Sequence, residues 1–199
     1  MATFQNILQF WFHDLTDATV IDKKLPPAKL WFNGGRGFDE EIRAKFLTDY
    51  ENAKAGKYTD WEATARGRLA LILIFDQFSR NMFRNALQAF ATDGQALKLA
   101  LRSIQDDKDK ELMLIERAFL YMPFMHAELL AAQEEGVRRF EALVQESQAR
   151  SPHNASYFEN NLKYARQHRN IIAKFGRFPH RNAALGRLST PAEEEFFKK

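Results

Sequence analysis

The chain has 199 residues, 45% of them hydrophobic, with 18 phenylalanines, three tryptophans, no cysteine and a formal net charge of +3. That length is most simply one domain with room for a sizeable core. The missing thiol excludes disulfides, thiolate metal sites and a cysteine nucleophile, and so small a net charge does not by itself argue for nucleic acid.

The N-terminus has no basic start followed by a long apolar run, and the longest apolar run, Leu69 to Phe75, is too short to span a bilayer. A soluble, cytoplasmic protein is expected. Helical spacing dominates, and no segment alternates as a strand does. Phe4, Ile7, Leu8, Trp11 and Phe12 share one face of a first helix. An irregular stretch with Pro26 and Pro27 and the turn Asn33-Gly34-Gly35-Arg36-Gly37 follow. Asp39 is placed to cap a second helix through Ala55, stopped by Gly56. Thr59 or Asp60 starts the next helical segment, which leads into Leu69–Phe75, apolar on every side and so expected to be a central, buried helix.

Thr92 and Gln95 have the spacing of a capping box for a helix to about Ile104. The charged run Asp106 to Lys110 reads as a solvated connection. Helices are expected from about Glu111 to Tyr121 and from about Phe124 to Ser147, separated by Pro123. Ser156 with Glu159 opens a helix ending at Gly176, and Thr190, Pro191 and Glu193 predict a short closing helix. The expected fold is all-α: a single domain over residues 1–199 of stacked antiparallel helix pairs joined by short loops.

Charge is unevenly placed. No acidic residue occurs between Glu159 and Glu193, whereas Lys163, Arg166, His168, Arg169, Lys174, Arg177, His180, Arg181 and Arg187 all fall there. Such asymmetry marks either an anion site or a set of bases whose acidic partners, such as Asp76 or Glu128, lie elsewhere in the chain. Asp76 follows the buried run, and Arg80 lies four residues on, within reach on one helix face. The pair either closes a helix or positions Arg80, or Arg181 from the distant loop, for a ligand. His126 shares a face with Met122, Leu129 and Leu130, and His168 sits on an apolar stripe, so both read first as core histidines. Glu128, two residues from His126, is wrongly spaced for a helical metal pair, and neither a metal site nor a cofactor is expected. Asn81 and Asn182 each follow an arginine in a phenylalanine-led segment, where a guanidinium fork suits bidentate capture of carboxylate or phosphate.

The strings Gly67-Arg68-Leu69-Ala70-Leu71-Ile72, Asp76-Gln77-Phe78-Ser79-Arg80-Asn81-Met82-Phe83-Arg84, Ala89-Phe90-Ala91-Thr92-Asp93, Met125-His126-Ala127-Glu128 and Phe175-Gly176-Arg177-Phe178-Pro179-His180-Arg181-Asn182 resemble the bacterial family catalogued as domain of unknown function 924, from Trp11 to Phe197. The resemblance implies an all-α stack similar to tetratricopeptide-repeat proteins and supplies no reaction. Departures are modest: the family usually has proline at positions 65 and 79 and serine at 127, where this chain has Ala65, Ser79 and Ala127. A Ser–His nucleophile therefore gains little support.

The leading functional expectation is a helical binding protein. Its pocket for an anionic small molecule or acidic peptide end would be lined from Asp76, Arg80, Asn81, His126, Glu128, His168, Arg177, His180, Arg181 and Asn182. The alternative is a hydrolase-type enzyme using His126, Glu128, His168 and His180, with no catalytic residue assigned. A protein partner stays open, and nucleic acid is disfavoured by the absence of any recognised motif.

Overall fold

The computed structural model describes residues 2–22, 25–33 and 35–198. It is all-α, and among the described residues there is no strand. The helices are α1 (Phe4–Phe12), α2 (Pro26–Asn33), α3 (Gly35–Lys54), α4 (Ala65–Ile72), α5 (Ser79–Met82), α6 (Asp93–Gln105), α7 (Leu114–His126), α8 (Leu130–Arg150), α9 (Ala155–Phe175) and α10 (Pro191–Phe196). Among the described residues no helix is long and apolar enough to cross a membrane.

The uniformly apolar run is buried, as its composition demands: Leu69, Ala70, Ile72, Leu73 and Ile74 are all inaccessible to solvent. Thr64 starts α4 by accepting the Gly67 N–H at 3.0 Å. Between α4 and α5 the chain makes a wide π-helical turn, Leu73–Phe78, in which the Ser79 N–H bonds Ile74 O instead of Phe75 O. Around this spine stand aromatic rings from α1, α3 and α7. Trp11 packs on Phe78 at 5.5 Å, Phe46 stacks on Phe78 at 5.0 Å, and Phe12 meets Phe119 edge-on at 5.4 Å. α8 lies against both α7 and α9.

Several elements differ from expectation. Pro26 and Pro27 lie in the first turn of α2, where missing N–H groups are harmless, so that stretch is helical. The turn at 33–37 includes Gly34, which lies outside the described residues; Gly35, with φ of +64°, already begins α3. Asp39 is therefore inside α3, where it accepts from Asn81 and Arg84 at 2.7 Å each, and caps nothing. Thr92 does not cap α6 with its side chain; its hydroxyl donates to Phe75 O at 2.7 Å. Asp109, in the supposedly solvated run, is buried and accepts the Tyr121 hydroxyl at 2.6 Å. Pro123 lies within α7, and the break comes at Ala127, where the chain turns extended. Gln133 imposes that break: its side-chain amide donates to Met125 O and Ala127 O at 2.7 Å each, so two carbonyls that no helical N–H reaches are satisfied. α9 begins at Ala155, ahead of the Ser156–Glu159 spacing. Thr190, Pro191 and Glu193 form the expected capping box of α10.

Candidate functional site

The π turn aims Asp76 across the molecule at the last residue of α7. Asp76 is inaccessible to solvent, and its two carboxylate oxygens lie 2.8 and 2.9 Å from His126 Nδ1. Gln77 Nε2 donates to it at 2.5 Å, and Arg80 Nη1 approaches at 3.1 Å. Burial pushes the Asp76 carboxyl up, but the Arg80 guanidinium and the His126 ring outweigh that and hold it at about 2. An ionised carboxylate only accepts, so Nδ1 of His126 carries a proton. Burial pushes the imidazole down against the pull of Asp76, with Arg80 adding to the depression. Since Arg80 already neutralises Asp76, His126 is the neutral partner.

Arg80 and Arg181 converge on one further carboxylate, Asp93, at the N-terminus of α6. Arg80 Nη2 lies 3.0 Å and Arg181 Nη1 3.1 Å from its oxygens. Arg181 Nη2 also donates to His126 O at 2.9 Å. The Arg181 guanidinium is 4.6 Å from the Phe90 ring centroid and 4.5 Å from that of Phe178, so it is held between two aromatic faces. Arg181 is 5% exposed, and its Nε has no hydrogen-bond partner among the described residues. Burial raises the Asp93 carboxyl, reinforced by the charge of Asp76 and opposed by the two guanidiniums.

Above this layer lies a cleft of ≈ 300 Å³ with Phe90, Asp93, His126, Glu128, Leu97 and Arg181 among its walls. Glu128 is committed: it takes Arg187 at 2.6 and 2.9 Å and the Phe178 N–H at 2.7 Å. His168 is half-buried, donates Nδ1 to Tyr164 O at 2.8 Å, and places its ring 6.3 Å from that of His126 and 5.3 Å from Phe178. His180 is exposed, its ring 5.4 Å from Phe178. Of the ten expected residues, His126, Glu128 and Arg181 line the cleft. Asp76 and Arg80 lie behind it against His126 and Asp93, His168 and His180 pack on Phe178, and the other three lie elsewhere. Asn81 joins Asp39, whereas Arg177 and Asn182 join Glu193 beneath α10. The acid-free segment thus finds its counter-charges elsewhere: Arg181 at Asp93, Arg187 at Glu128, Arg177 at Glu193, Arg166 at Glu141 and Arg169 at Glu134.

Sequence reasoning missed Asp93 and Phe90 as parts of this neighbourhood, and named Arg187 only among the bases that an acid such as Glu128 would pair, as it does. Asp93 was hidden because it follows Thr92, which looked like an ordinary helix start. Ser79, the hydroxyl nearest to Asp76 in sequence, is fully buried and bonded to Phe75 O at 2.7 Å, so it is no nucleophile. Among the described residues no group of three or more His, Asp or Glu is arranged to hold a metal ion.

Fold and site together define an all-helical protein in which a buried carboxylate–imidazole pair and two guanidiniums adjoin one cleft, with His126 and Arg181 in its wall. The chain belongs to the family described as "Bacterial protein of unknown function (DUF924)", which it matches over residues 7–199. It is similar to the solved structure of a protein of unknown function from Agrobacterium tumefaciens, with 32% identity, a TM-score of 0.78 and coverage of 98% of this chain and 96% of that one. No curated protein matches the chain.

Proposed function

We propose that this is a binding protein whose cleft takes a small anionic molecule. The observation that carries the reading is Arg181. A guanidinium has five N–H donors; here Nη1 and Nη2 bond Asp93 and His126 O, each nitrogen keeps a second N–H, and Arg181 forms part of the cleft wall. Buried donors call for acceptors, and a planar fork between two rings is preorganised to meet an oxyanion. The cleft's ≈ 300 Å³ is at the small end for ligand sites, which favours a compact anion over a peptide terminus. Calorimetric titration with inorganic phosphate and with citrate tests this. Binding that is lost in Arg181→Met supports the reading; no heat from either anion at low salt, with the protein folded, overturns it.

A second reading, hydrolytic chemistry, is favoured by one observation: His126 is backed by Asp76 at 2.8 Å, the pairing that orients a general base. Glu128 and Arg187 satisfy each other, so of the four residues in that alternative His126 is the one best placed to accept a proton.

A further inference from the structure

The two edges of the His126 ring face different surroundings. Nδ1 lies against both oxygens of Asp76, and His126 is also a wall of the cleft. With Asp76 ionised, the proton of a neutral ring sits on Nδ1 and Nε2 is a bare acceptor. Among the described residues nothing hydrogen-bonds to Nε2. The adjoining wall is Arg181, a pure donor that bonds the backbone carbonyl of this same histidine at 2.9 Å. The cleft therefore offers donors from the guanidinium and an acceptor from the imidazole, side by side.

From this we infer that His126 makes the cleft selective for oxyanions that carry a proton of their own, such as hydrogen phosphate or a hydroxycarboxylate, over proton-free oxyanions of equal size and charge. The inference deepens the anion-binding reading and rests on it. Hydrogen phosphate donates its P–OH to Nε2 while its other oxygens accept from Arg181. Sulfate has the same shape and, near neutral pH, almost the same charge, but it sets an oxygen lone pair against the Nε2 lone pair. Leaving a partly buried acceptor without its hydrogen bond costs enough to shift affinity by about tenfold or more.

Asp76 enforces this preference as a positioning residue, because it fixes the tautomer without touching the ligand. An amide oxygen held by Arg80 at the Oδ1 position would still lie 2.8 Å from Nδ1, so the variant that frees the tautomer is Asp76→Ala. Nδ1 then has no fixed acceptor, and Nε2 carries the proton for part of the population.

The experiment is paired calorimetric titration with phosphate and sulfate at about pH 7.5, on wild type and Asp76→Ala. The expected result is at least about tenfold tighter phosphate binding by wild type, with the preference weakened or abolished in the variant. Equal affinities in wild type, or an undiminished preference in Asp76→Ala, overturn the inference and leave the anion-binding reading standing. Binding of neither anion overturns both. Should Asp76→Ala not fold, nitrogen-15 NMR of wild-type His126 decides: an Nδ1–H tautomer supports the assignment, and an Nε2–H tautomer overturns it.

Discussion

Arg181→Met removes a guanidinium from between two rings and leaves an unbranched stem of similar length in its place. Removing one partner of a buried ion pair costs about 3–5 kcal/mol when the other charge is stranded. Asp93 is not stranded, because Arg80 stays 3.0 Å from it, so the lower end applies. The contacts at 4.6 and 4.5 Å to Phe90 and Phe178 add about 0.5–2 kcal/mol each when desolvated, partly replaced by the methionine stem. Against these losses stands relief from desolvating a cation, visible as the downward push of burial on Arg181. The net expectation is a loss of about 3 kcal/mol, read by urea unfolding with an unchanged slope. Arg181→Lys keeps the charge without the planar fork and loses about half as much. Arg80→Met combined with Arg181→Met costs more than the two singles summed, because only then is Asp93 unpaired. A change below about 1 kcal/mol in Arg181→Met, or strict additivity in the double variant, refutes the shared-carboxylate argument.

Burial lowers the His126 pKa from 6.5. The unfolded chain therefore binds this proton more readily, and the His126 contribution is complete above about pH 6.5 and lost as pH falls below it. Wild-type stability is expected to decline from about pH 7.5 to 5.5 more steeply than that of His126→Gln; equal slopes contradict this. Gly67→Ala would set a Cβ 2.1 Å from Trp61 O and 2.9 Å from the Thr64 hydroxyl. A backbone carbonyl cannot yield that distance, so the variant loses about 2 kcal/mol or more in urea unfolding despite a helix-propensity gain of about 1 kcal/mol. Gly94→Ala, with nothing within 4 Å of its would-be Cβ, moves the other way by up to about 1 kcal/mol. The same sign for both substitutions counts against the packing described.

The parts of the fold that were legible are those written in local pattern. A uniformly apolar run has to be buried, and a Thr-Pro-x-Glu string has few uses besides starting a helix. Asp76 and Arg80 were legible as neighbours because four residues make one helical turn. Other features depend on partners remote in sequence. Nothing near Pro123 reveals that α7 runs through it, because the break is made by Gln133 reaching back to two carbonyls. Nothing near Thr92 reveals that its hydroxyl is claimed by Phe75 O, seventeen positions away. The histidine–carboxylate pair spans fifty positions, and from sequence His126 read first as a satisfied core residue.

The π turn is the hinge of the site, and its hydrogen bonds show how it persists. In a regular helix the Ser79 N–H would bond Phe75 O; here it bonds Ile74 O, which leaves Phe75 O displaced in the core. Two hydroxyls replace the lost donor, Ser79 Oγ and Thr92 Oγ1, each at 2.7 Å. Arg80 Nη1 likewise takes Asp76 O at 2.5 Å. These side chains hold open a turn that the backbone would otherwise tighten, and the wide turn is what presents Asp76 to His126. Ser79→Ala with Thr92→Val strips both hydroxyls while nearly conserving volume. Stranding one buried carbonyl costs about 1–3 kcal/mol, and tightening to an α turn would recover that bond while rotating Asp76 away from the imidazole. The double variant is therefore expected to be destabilised only modestly but to lose the downfield Nδ1 proton resonance that a hydrogen bond to a carboxylate produces. A double variant that keeps that resonance unshifted would show that the turn stands without its hydroxyls, and the link from Thr92 to the site would fall.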